Sequence, residues 1–488
     1  MKRGSANSIP RKALVTLAAA LGVSLFGCAL HRPPSHPTIV VQALPKATPL
    51  PPAWSSTPSG VNVGDDWLKS FQDPGLDAVV SEAIANNLDL RQSAARVEAA
   101  RQSVIVVGSK LKPQVTASLS AATTRSTDKD ITQQEQSSTV LPGVAWEVDV
   151  WGRVRAQRAA AQENYQAIAL DYAFARQSLA ATTANSWYLA IETRQLLALT
   201  EQSVNIYKEL LELVKIRRAA GKVGDLDVAE ASYQLDEAQN QLAIAQGLYS
   251  ESRRTLEVLV GRYPAAEMDV AEGFAPLPPP VAPGLPSSLL ERRPDIVAAE
   301  HQVLAAFRTQ EAAKLALLPT FSLNLIGGRL SDPLLSVLGL NPWLVHAAAG
   351  MFVPIYEGGA LRAQIKIATA QQEQAVAQFG AVALGAFEEV EVALTNERLF
   401  AERLPYLDSA VRDHSEAVRV ANLRYKAGSM DFLSVLQLQA GQIQSQADLI
   451  KLRNTQLSNR INLHLALGGS FDSLPATTFP TASAARKP

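Results

Sequence analysis

The fold of this chain is decided by residues 217–228, which read RRAAGKVGDLDV. They end a run of 68 residues, 153–220, that contains neither Gly nor Pro and so predicts one unusually long helix. At about 1.5 Å per residue, such a helix reaches roughly 100 Å. A second stretch, RYKAGSMDFLSV at 424–435, repeats the pattern, and its Gly428 follows Gly221 by 207 residues. The two stretches predict two copies of one turn, each between a long helix and a helix that returns along it.

The chain matches itself at an offset of 206–207 residues over most of its length. The other matched pairs are Asp89-Leu90 with Asp295-Ile296, Leu111-Lys112-Pro113 with Leu317-Leu318-Pro319, Arg155-Ala156-Gln157 with Arg362-Ala363-Gln364, Leu226 with Leu433, Val228 with Val435, Leu242 with Leu449, and Gly261 with Gly468. Because the offset shifts by one residue only, the pattern indicates a tandem duplication rather than chance.

The duplication sets the predicted domain boundaries. The Pro-rich FAPLPPPVAPGLP of residues 274–286 joins the copies as a stiff, extended linker. The predicted domains are a signal peptide at 1–27, a lipidated extended segment at 28–65, the first repeat at 66–273, the linker, the second repeat at 287–470 and a C-terminal tail at 471–488.

Each repeat predicts the order helix, strand, strand, long helix, turn, helix. Apolar residues alternate with polar ones after each short helix, as in PQVTASLSA and PTFSLNLIG, and this period of two is typical of strands. The expected elements are short helices at 89–109 and 294–317, return strands at 144–150 and 343–356, and polar loops between the strands near 125–137 and 331–342.

The second long segment, 360–427, is expected to be interrupted at Gly380 and Gly385 and kinked at Pro405. Gly221 and Gly428 supply the backbone freedom that ends a helix, and Asp225 and Ser429 are expected to cap the helices that follow. The first returning helix has apolar or small residues in steps of three and four, the spacing of a coiled-coil seam. These residues are Val228, Ala231, Leu235, Ala238, Leu242, Ala245, Tyr249, Ser252, Leu256 and Leu259.

The four predicted strands have one apolar face each and resemble transmembrane strands of about ten residues. In lipid every backbone polar group needs a partner, so a sheet has to close without edges. Four strands do not close a barrel, and the sequence therefore predicts one barrel shared by several copies. Two chains would give eight strands and three would give twelve, and the residues alone leave the number open.

The N-terminal residues have the pattern of a bacterial lipoprotein signal. Four basic residues precede an apolar core of about 14 residues, too short to span a bilayer. The core ends in Leu25-Phe26-Gly27-Cys28, which resembles a lipobox, and Cys28 is the single cysteine of the chain. We predict lipidation at Cys28 and, because Ala29 rather than Asp follows, an outer-membrane destination. An ordinary signal peptide with an incidental cysteine is the alternative.

Composition argues against nucleic-acid binding and catalysis. The formal net charge of −1 and the pI of about 6.6 provide no basic field for a nucleic acid. The six histidines form no HExxH pair, and neither GxxxxGK[ST] nor GxSxG occurs. Glu388, Glu389 and Glu391 are interpreted as a solvated or lumen-facing side of a helix. We expect no enzyme activity, no catalytic residue, no metal site and no cofactor.

The duplicated helix–hairpin–helix unit, WLKSFQDPGLDAVVSEAIANNLDL from Trp67, RRPDIVAAEHQV from Arg292 and the paired Gly turns resemble the outer-membrane efflux factors. This is the TolC-like family, in its OprM/NodT-type lipoprotein branch. The resemblance implies an α+β membrane protein with two tandem repeats and a homotrimeric assembly. It implies a long antiparallel α-helical barrel, a coiled-coil tunnel in the periplasm, and a shared 12-stranded transmembrane β-barrel. It also implies a belt built from the termini and the Leu277 region.

The resemblance further implies a periplasmic adaptor and an inner-membrane pump of the RND type as partners, besides outer-membrane lipid. The turns would then form the tip of the tunnel, where adaptor contact is expected at Gly221, Lys222, Val223, Gly224, Gly428, Ser429 and Met430. Three copies of Asp225, Asp227 and Asp431 are candidates for a cation-binding gate constriction. For each Asp the alternative is helix capping within a solvated turn.

The predicted function is the outer-membrane channel of a tripartite efflux system for small toxic compounds or drugs. Heavy-metal efflux and type I protein secretion are alternatives within the family, and a structural coiled-coil envelope lipoprotein is an alternative outside it. With four Met and no Met or His cluster, the chain has no evident relay for soft metal ions.

Lipidation gives a first testable prediction. Cys28→Ala is expected to abolish labelling by a radioactive fatty acid and to leave the protein in the membrane fraction, because the strands supply the main insertion. Mass spectrometry of the mature wild-type N-terminus measures the same point independently. Residues upstream of Cys28 on the mature chain would contradict lipidation.

Overall fold

The computed structural model describes residues 30–45, 51–56, 64–128, 131–331 and 343–471. The predicted signal peptide, Cys28 and all of the tail after Phe471 lie outside this part of the chain. The helices are α1 His36–Ala43, α2 Pro74–Asn86, α3 Leu88–Ser109, α4 Arg153–Ala219, α5 Asp225–Leu259, α6 Pro286–Arg292, α7 Pro294–Leu315, α8 Ala360–Lys426 and α9 Phe432–Ala466, with a short 3-10 helix at Trp67–Phe71. The strands are β1 Gln114–Asp128, β2 Ile131–Val148, β3 Thr320–Ser331 and β4 Trp343–Phe352.

The tandem duplication is visible in the lengths of the helices. The long helices α4 and α8 have 67 residues each, and the returning helices α5 and α9 have 35 each. The helices that precede the strands, α3 and α7, both have 22 residues. Equal lengths in all three pairs confirm that the same unit occurs twice.

The predicted interruptions of the second long helix at Gly380 and Gly385 are wrong, because α8 runs through both residues. The helix also continues through Pro405, where the kink stays a prediction. Gly380 instead allows close packing: a Cβ there would lie 2.6 Å from the carbonyl oxygen of Ala43. Pro405 is exposed, so water can reach the carbonyl that its ring leaves without a donor. The many helical bonds on either side then outweigh one lost bond.

The chain divides into two compact units. One contains the described residues of Met1–Pro45, Val97–Ile168 and Ala299–Gly380, and the other contains those of Lys46–Arg96, Ala169–Ala298 and Ala381–Pro488. The strands lie in the first unit, and both Gly turns lie in the second. Among the described residues, no helix is both long enough and apolar enough to cross a membrane.

The four strands form one antiparallel sheet in the order β1-β2-β3-β4. Val115 pairs with Val144, which pairs with Leu325, so apolar side chains share one face. Val115 is 75% exposed within the chain. Gln114, Ala145 and Asn324 pair in the same way and share the opposite, more polar face. The predicted alternation is therefore confirmed for these three strands.

The first predicted loop is wrong. β1 continues to Asp128 and β2 begins at Ile131, so most of 125–137 is paired, for example Arg125 with Gln134. Polar residues extend the strands because the ladder is made by backbone groups and continues once its register is fixed. β2 ends at Val148 and β4 at Phe352, earlier than expected. Of the second predicted loop, Ser331 belongs to β3 and the remainder lies outside the described residues.

The motif DPGL explains the start of α2. Asp73 caps the helix by accepting hydrogen bonds from the backbone N–H groups of Gly75 and Leu76 at 3.0 and 3.1 Å, while Pro74 occupies the first turn. The indole of Trp187 donates to the other Asp73 oxygen at 2.9 Å. A Cβ at Gly75 would lie 2.7 Å from the Trp187 ring, so the glycine allows the indole to approach. This contact anchors α2 on α4.

Two buried arginines bind the linker and the RRPDI segment to their surroundings. The guanidinium of Arg460 is almost fully buried and donates to Glu397 and to the carbonyls of Pro278 and Pro279. Arg293 is buried as well and pairs with Asp295 at 2.9 Å and with Glu389 at 2.6 Å. A buried guanidinium is stable only when its donors are paired, so these contacts fix the local chain path.

Glu388 and Glu389 are exposed, which agrees with the interpretation of this cluster as a solvated side of the helix, but two of its members also have partners. Glu389 is the partner of Arg293, and the carboxylate of Glu391 accepts from the backbone N–H and hydroxyl of Ser55 at 2.8 and 2.7 Å. The partners come from segments far away in sequence, which periodicity along one helix does not reveal.

Glu257 lies in a cradle of backbone donors at the end of α5. Its carboxylate, 2% exposed, accepts from the N–H groups of Ala266, Glu267 and Met268 at 2.7, 2.6 and 2.9 Å. Burial by itself raises the pKa of Glu257, but these backbone bonds outweigh burial and hold the pKa below its ordinary value. The ionised group therefore stabilises the fold above that ordinary pKa, and the contribution is lost as the pH falls through the lowered value.

Glu257→Gln is expected to lower the free energy of unfolding by about 1–3 kcal/mol at neutral pH. The reason is that the Gln amide places its own N–H donors against backbone N–H groups that need an acceptor. The difference from wild type should shrink as the medium is acidified. Thermal unfolding followed by circular dichroism in detergent measures both effects. The exposed neighbour Glu267 provides the control Glu267→Gln, and equal midpoints for the two variants would contradict the assigned role.

Candidate functional site: the two helical turns

The two turns have the same backbone geometry. Gly221 has φ +68° and Gly428 has φ +81°, the left-handed conformation that favours glycine. Beyond Gly221, the N–H of Lys222 donates to the carbonyl of Arg217 at 2.9 Å, and the N–H of Ser429 donates to that of Arg424 at the same distance. These bonds close both long helices in the same motif, as the sequence predicted.

The residues that cap the returning helices differ from the prediction. The N-cap of α5 is Gly224, whose N–H donates to the carboxylate of Asp227 at 3.1 Å. Asp225 is the first residue of α5, and its carboxylate pairs with Arg218. A negative charge in a helix's first turn also stabilises the helix electrostatically.

In the second turn the N-cap of α9 is Asp431, not Ser429. Its carboxylate accepts from the backbone N–H and the hydroxyl of Ser434 at 2.8 and 2.7 Å. The Ser429 hydroxyl instead donates to the carbonyl of Arg424 at 3.1 Å and so helps to close α8. The side-chain bond from Ser434, followed by its backbone bond, lowers the pKa of Asp431. Asp227 and Asp431 thus have capping contacts, as the alternative to a gate predicts, whereas Asp225 pairs with Arg218.

Helices α4, α5, α8 and α9 share a hydrophobic core next to the turns. Its buried members are Tyr207, Leu210, Leu211, Val214, Ala231, Ala238, Ala421, Tyr425, Phe432, Val435 and Leu436. Val223 and Met430 of the turns are half-buried against it, and so are Val228 and Leu235 of the predicted seam. The remaining seam residues include Leu256, which is fully buried, and this agrees with the predicted packing face of α5.

Arg217 connects the first turn to the second. Its guanidinium lies 4.3 Å from the centroid of the Tyr425 ring and donates to the Tyr425 carbonyl. The Tyr425 side chain is 1% exposed, and its burial raises the pKa of the phenol. Neither residue is identified by the sequence pattern, since a stacked contact between segments 208 residues apart has no local sequence signal.

The surface of the turns combines exposed backbone with repeated apolar side chains. Gly221, Lys222, Gly224, Gly428 and Ser429 are exposed, whereas Val223 and Met430 anchor the turns in the core. The flanking side chains that repeat at the 207-residue offset are Ile216 and Leu423, which are 67% and 57% exposed, and Leu226 and Leu433, which are 79% and 56% exposed. Each turn therefore presents the same small apolar surface. No group of His, Cys, Asp or Glu within the described ranges is arranged to hold a metal ion.

The duplicated organisation agrees with a family model, Outer membrane efflux protein, which matches residues 79–262 and 285–469. The chain belongs to this family. The two matched segments correspond to the two repeats, and the linker lies mainly between them. The resemblance drawn from the DPGL and RRPDI segments is thereby confirmed.

Individual relatives and a solved structure agree. The toluene efflux pump outer membrane protein TtgC of Pseudomonas putida is 31% identical, over 94% of this chain and 96% of the length of TtgC. The pyoverdine export outer membrane protein OpmQ, also of Pseudomonas putida, is 29% identical over 93% and 97%. The structure of the outer-membrane channel OprN superposes with a TM-score of 0.76 at 25% identity, over 88% of this chain and 99% of that one. The predicted fold class and outer-membrane location are confirmed at this level.

The left-handed glycine gives a prediction with a matched control. Gly428→Ala is expected to destabilise the turn by about 1–2 kcal/mol, because a Cβ is disfavoured at positive φ. Gly385→Ala, inside α8 with no atom within 4 Å of the new Cβ, should stabilise by about 0.5–1 kcal/mol. Thermal unfolding and limited proteolysis near the turn measure both changes. Effects of the same sign in the two variants would rule out the assigned turn geometry.

Asp431 permits a separation of capping from gating. Asp431→Asn retains a good N-cap and removes the charge, whereas Asp431→Ala removes both, at a cost of about 1 kcal/mol in stability. If Asp431 acts only as a cap, the Asn variant should match wild type in planar-bilayer conductance and in divalent-cation block, and the Ala variant should be less stable. Changed divalent block in the Asn variant, with unchanged stability, would instead support the gate.

Proposed function

We propose that the chain is the outer-membrane channel of a tripartite efflux system and passes small organic toxicants or drugs out of the cell. The observation that carries the proposal is the sheet. Its apolar face is exposed, and β1 and β4 are edge strands that have no second neighbour among the described residues. Lipid does not tolerate unpaired edges, so copies of the chain have to complete one another's sheets.

Three copies provide the twelve strands that enclose a lumen, whereas two provide eight strands that side chains fill. A homotrimer is therefore the assembly that serves transport. Native mass spectrometry of the protein in detergent measures the copy number directly. A stable monomer or dimer would contradict the trimer.

The turns are the proposed docking surface for a periplasmic adaptor. They expose backbone and a repeated apolar pair, Ile216 with Leu226 and Leu423 with Leu433. A pump of the RND type at the inner membrane would complete the system. In this role the chain is a passage and not an enzyme, and Cys28 adds a lipid anchor.

Relatives support organic cargo of more than one kind. Their names specify toluene efflux and pyoverdine export, two chemically distant compounds. Because similar channels serve such different compounds, substrate selection is assigned to the pump. We therefore favour organic toxicants over metal ions, proteins or a purely structural role.

The function is tested in the native strain lacking its chromosomal copy of the gene. Plasmid-borne wild-type protein is expected to lower accumulation of a lipophilic fluorescent dye, and Gly428→Val is expected not to, although it reaches the outer membrane. Gly385→Ala serves as the control and should behave as wild type. Equal dye accumulation with and without the wild-type protein would refute efflux.

A structural tether predicts a different outcome for the same strains. Such a tether would leave the membrane fraction once Cys28 is replaced, because its lipid would be its sole attachment. Retention of Cys28→Ala in that fraction, together with dye efflux, separates the channel from the tether.

A further inference from the structure

A cavity of about 450 Å³ lies where the end of α3 and the start of α4 meet the polar face of the sheet. Gln114, Ala145 and Asn324 lie on this face as one row of paired residues, and Glu147 and Ser322 form the next. The other charged and amide residues of the lining are Lys110, Lys112, Arg153 and Gln157.

The cavity has an excess of positive charge. Its three cations are Lys110, Lys112 and Arg153, and the carboxylate of Glu147 is the one anion of the lining in the described part of the chain. That carboxylate pairs with Arg153 at 2.6 Å. The ammonium groups of Lys110 and Lys112 are therefore not neutralised within the lining.

The two lysines lie on a turn with a fixed backbone. The indole of Trp146 donates to the carbonyl of Leu111, between the lysines, at 3.1 Å. The N–H of Lys112 donates to the carbonyl of Ser109 at 3.0 Å. The backbone of the turn is thus held against β2, so binding an anion would require ordering of the lysine side chains but not of the turn itself.

The second repeat shows that the fold does not require these charges. The counterparts of Lys110, Lys112 and Arg153 at the repeat offset are Ala316, Leu318 and Ala360. The turn that follows α7 also accepts an indole bond, although from a tryptophan of the first repeat: Trp151 donates to the carbonyl of Pro319 at 2.7 Å. None of the three cations therefore recurs at the matched positions, so the repeated unit forms its helix-to-strand turn without them.

We propose that this cavity binds organic anions that carry carboxylate or phosphate groups. Lys110 and Lys112 would contact the anionic oxygens, while the amides of Gln114, Gln157 and Asn324 supply neutral hydrogen-bond donors. The proposal rests on the proposed function, in which the polar face of the sheet lines the passage. The apolar side chains of the sheet occupy the opposite face, so the ligand is a solute in transit rather than a membrane lipid.

Citrate is the probe for the solute. Isothermal titration of the purified full-length protein in neutral detergent at low ionic strength is expected to show saturable citrate binding. Lys110→Gln/Lys112→Gln should weaken it by at least about tenfold, the equivalent of about 1.4 kcal/mol of lost charge-assisted bonding. Lys110→Arg/Lys112→Arg should retain binding. The control is Lys366→Gln, which removes a charge of α8 outside the cavity and should bind as wild type.

Two outcomes overturn the proposal, provided that thermal unfolding shows all variants to be folded. One is citrate affinity that is equal in wild type and the double Gln variant. The other is binding of phosphatidylglycerol in mixed micelles that needs both lysines while citrate does not bind, which would assign the site to a lipid headgroup. Planar-bilayer recordings in a salt gradient separate failure of the site from failure of the channel. A protein that conducts ions but shows no lysine-dependent citrate binding would refute the site alone. Citrate binding by a protein that exports no dye refutes the channel alone.

Discussion

The left-handed backbone at Gly221 and Gly428 is the constraint on which the packing of the long helices depends. Each closes a 67-residue helix and sends the chain back as a 35-residue helix. Were either helix to continue, its successor would not lie beside it, and the core that the four helices share next to the turns would not form. Because a residue with a Cβ is disfavoured at such φ values, two glycines determine where about two hundred helical residues find their partners.

The duplication distinguishes structural features that the fold requires from features that it does not require. Features present in both repeats, such as the glycine turns and the helix lengths, solve the same structural problem twice. Features present once need another explanation. The lysines of the cavity belong to this second kind. Comparison of the two repeats is an internal control that most folds do not provide.

The sequence predicted the periodic helices and strands of this structure, but few of the side-chain contacts between segments that are remote in sequence. The order of elements, the bounds of the long helices within one residue, and the seam of α5 all followed from Gly positions and apolar spacing. The cap residues were misplaced by one or two positions, because several polar residues of each turn are suitable N-caps. The partners of Glu389, Glu391 and Arg217 were missed, since their contacts join segments remote in sequence. The strands extended further than their apolar pattern, because backbone pairing needs no apolar side chain.

The two turns are alike in backbone and different in charge, and that difference bears on how they can act. The first uses a glycine as its N-cap and holds Asp225 against Arg218, while the second uses Asp431, whose bonds with Ser434 engage both carboxylate oxygens. A carboxylate already engaged by two local donors has fewer lone pairs left for a cation. Repulsion among three converging copies would also have to overcome those local bonds before the helix ends could move. The docking surface is therefore better assigned to what the turns share, the exposed backbone and the paired apolar side chains, than to the acidic residues in which they differ.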